Sequence, residues 1–177
     1  MIHSLNHAIS PVMKDLHVRD VTADELPELF QLNQANIPHV GSVSLGDFKV
    51  LHERAIYFRV AEFAHRIVGF LIAFDPPAEY GSLNFLWFKT RFDSFVYIDR
   101  IVVVPDGRRS GVASVLYGDL EAFARERRIP LMTCEYNLRP GNEISRLFHR
   151  NGGFEEVGRQ ETQQGEKLVS LQIKRLD

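Results

Sequence analysis

Cysteine is nearly missing from this chain: Cys134 is the single cysteine among 177 residues. One cysteine excludes an internal disulfide framework and favours a reducing compartment only weakly. No apolar run approaches the roughly 18 residues that a membrane span requires. The first residues also lack the basic start and apolar stretch of a secretory signal. We therefore expect a cytoplasmic protein that does not bind membranes.

An excess of charge of one sign is missing as well. The 21 basic and 23 acidic residues give a formal net charge of −2, so binding of nucleic acid through bulk charge is not expected. The phosphate-binding patterns Gly-x-x-x-x-Gly-Lys-Ser/Thr and Gly-x-Gly-x-x-Gly are both absent, which argues against those kinds of nucleotide site. His3 and His7 lie four residues apart without a third ligand nearby, and we expect no metal site.

The length and the 45% share of hydrophobic residues are typical of one compact domain with a sizeable core. We expect a flexible arm over residues 1–14 and a single domain over residues 15–177.

Apolar alternation and helical periodicity predict seven strands and four helices around one central sheet, a mixed α/β fold. The strands are expected over 16–21, 56–63, 66–75, 95–104, 130–137 and in a closing hairpin around 162–165. The helices are expected from about Thr22, over 43–55, after the loop at Pro105 and over 142–151. The segment 76–94 is expected to be a long connection rich in aromatic residues. It is either a lid over a substrate or ordinary core or dimer material.

One stretch, Val102–Leu116 (VVVPDGRRSGVASVL), joins a buried strand to a helix through a short loop with two arginines and two glycines. Free amides at a helix start and the helix dipole favour an anion there. Gly111 lets a ligand approach the backbone, and arginines suit phosphate oxygens. The loop is therefore either an anion site or a solvated turn whose arginines keep the surface soluble.

Residues 108–113 (Arg-Arg-Ser-Gly-Val-Ala) match the pattern Arg/Gln-x-x-Gly-x-Gly/Ala. Residues 142–159 (NEISRLFHRNGGFEEVGR) match Asn-x-x-Ala/Ser-x-x-Phe/Leu-Tyr/His-x-x-x-Gly-Phe. With the preceding strand and following helix, these patterns resemble the GNAT superfamily of N-acetyltransferases over roughly residues 16–175.

The resemblance implies a mostly antiparallel sheet that splays open between strands four and five, flanked by helices. It also implies acetyl-CoA as co-substrate. The amides of residues 108–113 would hold its diphosphate, the fourth strand would pair with its pantetheine arm, and residues after the fifth strand would touch that arm. The implied binding residues are Ile101, Val102, Val103, Arg108, Arg109, Ser110, Gly111, Val112, Ala113, Asn137, Asn142 and Ser145.

For proton transfer we expect Asp99 to be the base, because an unpaired charge on a central strand is costly and such a carboxylate is usually either paired or functional. The alternative is that Asp99 accepts local structural hydrogen bonds. Arg100 points to the other face of an ideal strand and is not an automatic partner. Glu135 is a second candidate base. The usual acid of the family is a tyrosine, and His149 occupies that position here. His149 is then either the acid or a packing residue, with water protonating the sulfur.

Tyr136 and Tyr97 are weaker candidates for the acid, and Cys134 is expected to be a small core residue rather than a nucleophile. The resemblance thus implies an acyltransferase that acetylates a primary amine of a small molecule or amino-acid-like acceptor. The alternatives are a non-catalytic acyl-CoA-binding sensor and a transferase that uses a longer acyl-CoA. Pairing of the closing hairpin through its free edge would allow a homodimer.

Overall fold

The computed structural model describes residues 15–38 and 40–176. The expected arm over residues 1–14, with His3 and His7, lies outside the described residues. The described strands are β1 (Leu16–Asp20), β2 (Tyr57–Phe63), β3 (Arg66–Phe74), β4 (Val96–Val103), β5 (Leu131–Arg139), β6 (Glu155–Thr162) and β7 (Lys167–Arg175). The described helices are α1 (Leu26–Gln34), α2 (Leu45–Arg54), α3 (Leu83–Lys89), α4 (Val112–Glu126) and α5 (Glu143–Asn151).

All seven strands form one sheet in the order β1-β2-β3-β4-β5-β7-β6. Every neighbouring pair is antiparallel except β4 and β5, which are parallel. The tight hairpin between β2 and β3 places Ala64 and His65 at positive φ, the backbone that matches the twist of the flanking strands. The predicted mixed α/β fold with a mostly antiparallel sheet is confirmed.

The helices cover both faces of the sheet and bury a separate apolar cluster on each. Leu29 of α1, Phe48 of α2 and Phe85 of α3 are fully buried on one face, which we call the α1–α3 face. Leu116 and Leu120 of α4 are fully buried on the other, where Phe148 of α5 also packs; we call this the α4–α5 face. Of the described helices, none has the length and apolar character needed to cross a bilayer.

Helix α3 is the element that the sequence analysis missed. Segment 76–94 was expected to be a connection, yet α3 begins after Ser82, whose hydroxyl accepts the amide N–H of Phe85 at 3.5 Å. Phe85 and Phe88 are both fully buried. An aromatic-rich stretch has only a modest intrinsic helix preference, so tertiary burial of these two rings decides the conformation. For Phe85 and Phe88, the expectation that the aromatic residues of this segment are ordinary core material is correct.

Truncation of a buried ring on α3 tests this arrangement. We expect Phe85→Ala to lower the free energy of unfolding by about 3–4 kcal/mol, because it leaves a cavity among packed aromatic rings. Leu83→Ala on the same helix, where the side chain is 59% exposed, should change it by less than about 0.5 kcal/mol. Urea unfolding of both variants measures the difference. Equal small effects would mean that α3 is not docked in the core.

Candidate active site

Strands β4 and β5 separate soon after they begin. They pair at Val96–Met132 and Tyr97–Thr133, after which β5 continues along β7 as far as Arg139. The separation leaves a cleft of about 390 Å³ between the two strands. The expected splay between the fourth and fifth strands is therefore present.

The loop from β4 to α4 closes one end of this cleft. A short 3-10 turn covers Pro105–Gly107, and Gly111 stands before α4 with a φ of 90°. Glycine adopts this left-handed backbone without the steric penalty of a Cβ. The turn releases the chain directly into the first turn of α4, whose leading amides have no partner within the helix. The corner therefore has the geometry of an anion site.

Arg108 reaches from this loop across the cleft. Its Nη2 donates to Oδ1 of Asn36, at the end of α1, at 2.9 Å. One arginine of the loop is thus held against the segment between α1 and α2.

The residues predicted for binding and catalysis divide into two groups. Nine of them line the cleft, namely Asp99, Ile101, Val103, Arg108, Ala113, Asn137, Asn142, Ser145 and His149. The other five, Val102, Arg109, Ser110, Gly111 and Val112, do not line it. Val102 and Val112 are buried in the two apolar clusters, and Ser110 and Val112 line a separate apolar depression next to Pro105. The cleft therefore brings together nine of the fourteen predicted site residues.

A β-bulge in β4 corrects one expectation. Ile72 pairs with Arg100 and Ala73 pairs with Ile98, so Asp99 is an extra residue on β4. The alternation of side chains shifts there, since Ile98 and Ile101, three residues apart, both pack on the α4–α5 face.

The expected separation of Asp99 from Arg100 is therefore wrong, because it assumed an ideal strand. The Nε of Arg100 donates to Oδ2 of Asp99 at 2.6 Å. Tyr80 donates its hydroxyl to the other carboxylate oxygen, and Arg100 also binds Oδ1 of Asn33 on α1 at 2.9 Å. The side chains of Asp99 and Arg100 are only 7% and 6% exposed. Both oxygens of Asp99 are thus already engaged by protein donors.

Glu135 on β5 has a different environment. Its Oε2 accepts the hydroxyl of Tyr97 at 2.9 Å, and its Oε1 accepts Nδ2 of Asn84 at 2.9 Å. Among the described residues, no arginine or lysine forms an ion pair with it. Burial raises the pKa of Glu135 to about 7, against the opposing effect of these hydrogen bonds. A carboxyl with this pKa can take up and release a proton near neutral pH.

His149 on α5 is buried and engaged at both ring nitrogens. Its Nδ1 lies 2.8 Å from the backbone oxygen of Ser145, and its Nε2 lies 2.9 Å from the hydroxyl of Tyr117 on α4. A carbonyl oxygen only accepts, so Nδ1 carries the proton and Nε2 accepts from Tyr117. Burial lowers the pKa of His149, which favours the neutral imidazole. The ring also stacks on Tyr136 at an interplanar angle of 17°.

The sequence did not predict the hydrogen-bond partners of Glu135 and His149. Tyr117 lies on the apolar stripe of α4 beside Leu116 and Leu120, and a hydroxyl on a buried stripe is a signal that a polar partner is needed. Asn84 gave no signal, because its segment was expected to be a connection. Among the described residues, no cluster of three or more His, Cys, Asp or Glu side chains has the arrangement of a metal site.

Comparisons with known proteins identify a related family and related folds. Residues 17–154 match the model of the acetyltransferase (GNAT) family. No curated protein sequence matches the chain. Among solved structures, the ribosomal-protein-S18-alanine N-acetyltransferase of Escherichia coli has a TM-score of 0.70 at 16% identity, covering 92% of this chain and 94% of that one. Ribosomal-protein-alanine N-acetyltransferase of Brucella melitensis has a TM-score of 0.69 at 23% identity, with coverages of 90% and 99%. The yncA protein of Salmonella typhimurium, solved with acetyl-CoA, has a TM-score of 0.69 at 15% identity, with coverages of 92% and 95%.

The raised pKa of Glu135 predicts a pH-dependent loss of stability. Between its ordinary value of 4.5 and about 7, the folded protein holds a proton that the unfolded chain releases, so stability falls as the pH rises through this window. Each pH unit of this window is worth about 1.4 kcal/mol, so the ionised carboxylate destabilises the fold by roughly 3 kcal/mol at pH 8.

Glu135→Gln should remove this penalty. We expect it to be close to the wild type in stability at pH 4.5 and roughly 3 kcal/mol more stable at pH 8. Urea unfolding across this range measures the difference, with Glu53→Gln, an exposed glutamate of α2, as the matched control. A stability difference between Glu135→Gln and the wild type that does not grow with pH would contradict the raised pKa of Glu135.

Proposed function

The chain belongs to the acetyltransferase (GNAT) family, and on that basis we propose that it transfers the acetyl group of acetyl-CoA to the primary amine of a small molecule or amino-acid-like acceptor. The observation that carries this proposal is the cleft between β4 and β5. It joins an anion-binding corner at the start of α4 to Glu135, a carboxyl able to exchange a proton near pH 7.

The residues present suit acetyl-CoA, which supplies an activated acetyl thioester. The amides at the start of α4, together with Arg108 and Arg109, provide positive potential for a diphosphate. Ile101 and Val103 of β4 line the cleft on one side and Asn137 of β5 on the other. The edges of β4 and β5 that face the gap are not paired with each other beyond Tyr97 and Thr133, which favours an extended arm lying between them.

For the base, the geometry favours Glu135 over Asp99. Both carboxylates accept hydrogen bonds at each oxygen. Asp99 is paired with the guanidinium of Arg100, whereas the donors to Glu135, Asn84 and Tyr97, are neutral. Glu135 lines the cleft without an ion-pair partner among the described residues, and its pKa of about 7 matches the pH at which it would work. We therefore assign the base to Glu135 and an electrostatic and structural role to Asp99.

Glu135 takes a proton from the acceptor ammonium and so produces the neutral amine. The amine nitrogen then forms a bond to the thioester carbonyl carbon, and the bond from that carbon to sulfur breaks. The nitrogen loses its second proton, and the sulfur takes up one, which leaves an amide, free CoA and one proton in solution. Holding the two reactants in one cleft provides much of the rate enhancement.

For the proton that reaches the sulfur, the neutral state of His149 favours water as the source. The Nδ1 proton of His149 is directed to the oxygen of Ser145, and Nε2 has no proton to give. His149 then serves to pack α5 against α4 and Tyr136. This is the second of the two roles that the sequence left open.

A second class of acceptor is the α-amine of a protein. It is supported by two of the structural relatives, whose names describe acetylation of alanine on ribosomal proteins. At 16% and 23% identity these relatives share the fold, so their acceptors are candidates to be tested beside small amines.

Release of free CoA tests the proposed function. Acetyl-CoA and a panel of amino acids, polyamines, aminoglycosides and short peptides with free N-termini are incubated with the enzyme, and the new thiol is measured. We expect turnover with at least one acceptor class and none with Gly111→Asp, because a carboxylate at the corner repels the diphosphate.

Gly111→Asn is the matched control, since asparagine has nearly the same size and also tolerates positive φ. By calorimetry, Gly111→Asp should bind CoA at least tenfold more weakly than Gly111→Asn. Equal affinity of the two variants would place the diphosphate elsewhere. Binding without turnover across the whole panel would instead favour the non-catalytic sensor, and higher turnover with a longer acyl-CoA would reassign the donor.

Two substitutions separate the assigned base from the packing histidine. Glu135→Gln should lower kcat by roughly 10²-fold or more, as expected for the loss of a general base. His149→Phe should lower kcat less than about fivefold and leave the shape of the pH–rate profile unchanged, because water supplies the proton to the sulfur. Loss of the basic limb of the profile in His149→Phe would make His149 the acid after all.

A further inference from the structure

We propose that Asn84, on the helix inserted between β3 and β4, is a positioning residue for Glu135, holding its carboxylate in the orientation in which it accepts a proton from the acceptor amine. This inference rests on the proposed function, because it assigns a role to Asn84 in the same reaction. It gives α3, which lies in a segment that was expected to be a connection, a role in positioning the base.

The first support is a chain of hydrogen bonds that fixes the amide of Asn84. Gln160 on β6 donates its Nε2 to Oδ1 of Asn84 at 2.9 Å, and Asn84 donates its Nδ2 to Oε1 of Glu135 at 2.9 Å. Because a carboxylate only accepts, the nitrogen of Asn84 must face Glu135. The oxygen of Asn84 then faces Gln160, which donates to it. The network therefore permits one orientation of the amide.

The second support is that residues of α3 that follow Asn84 anchor the helix on the sheet. Phe85 next to it is fully buried against the rings of Tyr97 and Phe95, at centroid distances of 5.6 and 5.9 Å. Trp87 packs on β6 where the chain has Gly158, and a Cβ at position 158 would lie 2.6 Å from the indole ring. A glycine at this contact lets the helix approach the sheet closely. Asn84 is thus carried by a rigid element.

The third support is the charge balance around Glu135. From β4 come the hydroxyl of Tyr97 and the negative charge of Asp99, the latter paired with Arg100. From β7 comes the positive charge of Lys167, and from α3 the amide of Asn84. Burial and Asp99 disfavour the carboxylate form, whereas Asn84, Tyr97 and Lys167 favour it. Asn84 and Tyr97 are the groups that donate hydrogen bonds to the ionised base.

Removal of the hydrogen bond from Asn84 should shift the pKa of Glu135 in a predictable direction. Without it the carboxylate form is less stable, so the pKa of Glu135 rises and the base is protonated up to a higher pH. Asn84→Leu keeps a side chain of similar size over the carboxylate and so limits the entry of water. We expect the acid limb of kcat/KM to move up by roughly one pH unit.

The rate profile distinguishes positioning from a merely structural role. In Asn84→Leu, kcat/KM should fall roughly tenfold at pH 6 and recover toward the wild-type value above pH 9. Leu83→Ala, an exposed neighbour on the same helix, is the control and should leave the limb in place. A uniform loss at every pH, an unmoved limb, or an equal movement in Leu83→Ala would overturn the proposal.

A direct titration keeps the proposal testable even if no acceptor gives turnover. The ¹³C resonance of the Glu135 carboxyl is assigned by its loss in Glu135→Gln and followed from pH 4 to 9. We expect a midpoint near 7 in the wild type and a higher midpoint, by roughly one pH unit, in Asn84→Leu. An unshifted midpoint refutes the role of Asn84. A shifted midpoint without turnover by any variant keeps the positioning contact and refutes the proposed function instead.

Discussion

The separation of β4 from β5 after two residue pairs is the constraint on which the rest of this site depends. Backbone groups in the middle of a sheet normally pair with a neighbouring strand, and leaving them unpaired is unfavourable. Here β5 pairs with β7 through its other edge along almost its whole length, and the two pairs between β4 and β5 keep the sheet continuous. The cleft in the resulting gap is lined both by Arg108 of the loop before α4 and by Glu135, which lies on the α1–α3 face.

The bulge at Asp99 also changes which side chains of β4 lie next to each other. An extra residue in one strand re-aims the side chains that follow it, and here it brings Asp99 and Arg100 together. Arg100 then binds Asn33, while Arg108 from the following loop binds Asn36. Two contacts from one strand and its loop therefore hold the end of α1 and the residues that follow it at the wall of the cleft.

The sequence predicted the strands, four of the five described helices and the loop between β4 and α4, because each depends on local periodicity or on a short motif. It did not predict the pairing of Asp99 with Arg100, since a bulge depends on register with β3 and breaks the alternation from which faces are inferred. It missed α3, because burial of Phe85 and Phe88 overrides weak propensity. The contact of Asn84 with Glu135 depends on that missed helix. Glu135 was visible as an acidic residue in an apolar strand, but the sequence did not show that it would form no ion pair within the described part of the chain.

The two carboxylates on the α1–α3 face, Asp99 and Glu135, differ in the groups that donate hydrogen bonds to them. Asp99 is held by a guanidinium and a phenol, so its oxygens are occupied. Glu135 receives hydrogen bonds from the neutral donors Asn84 and Tyr97, and its pKa is raised by burial and further by the nearby charge of Asp99. An ion pair beside one acid thereby contributes to the proton affinity of the other, which suits the role as base that we propose for Glu135.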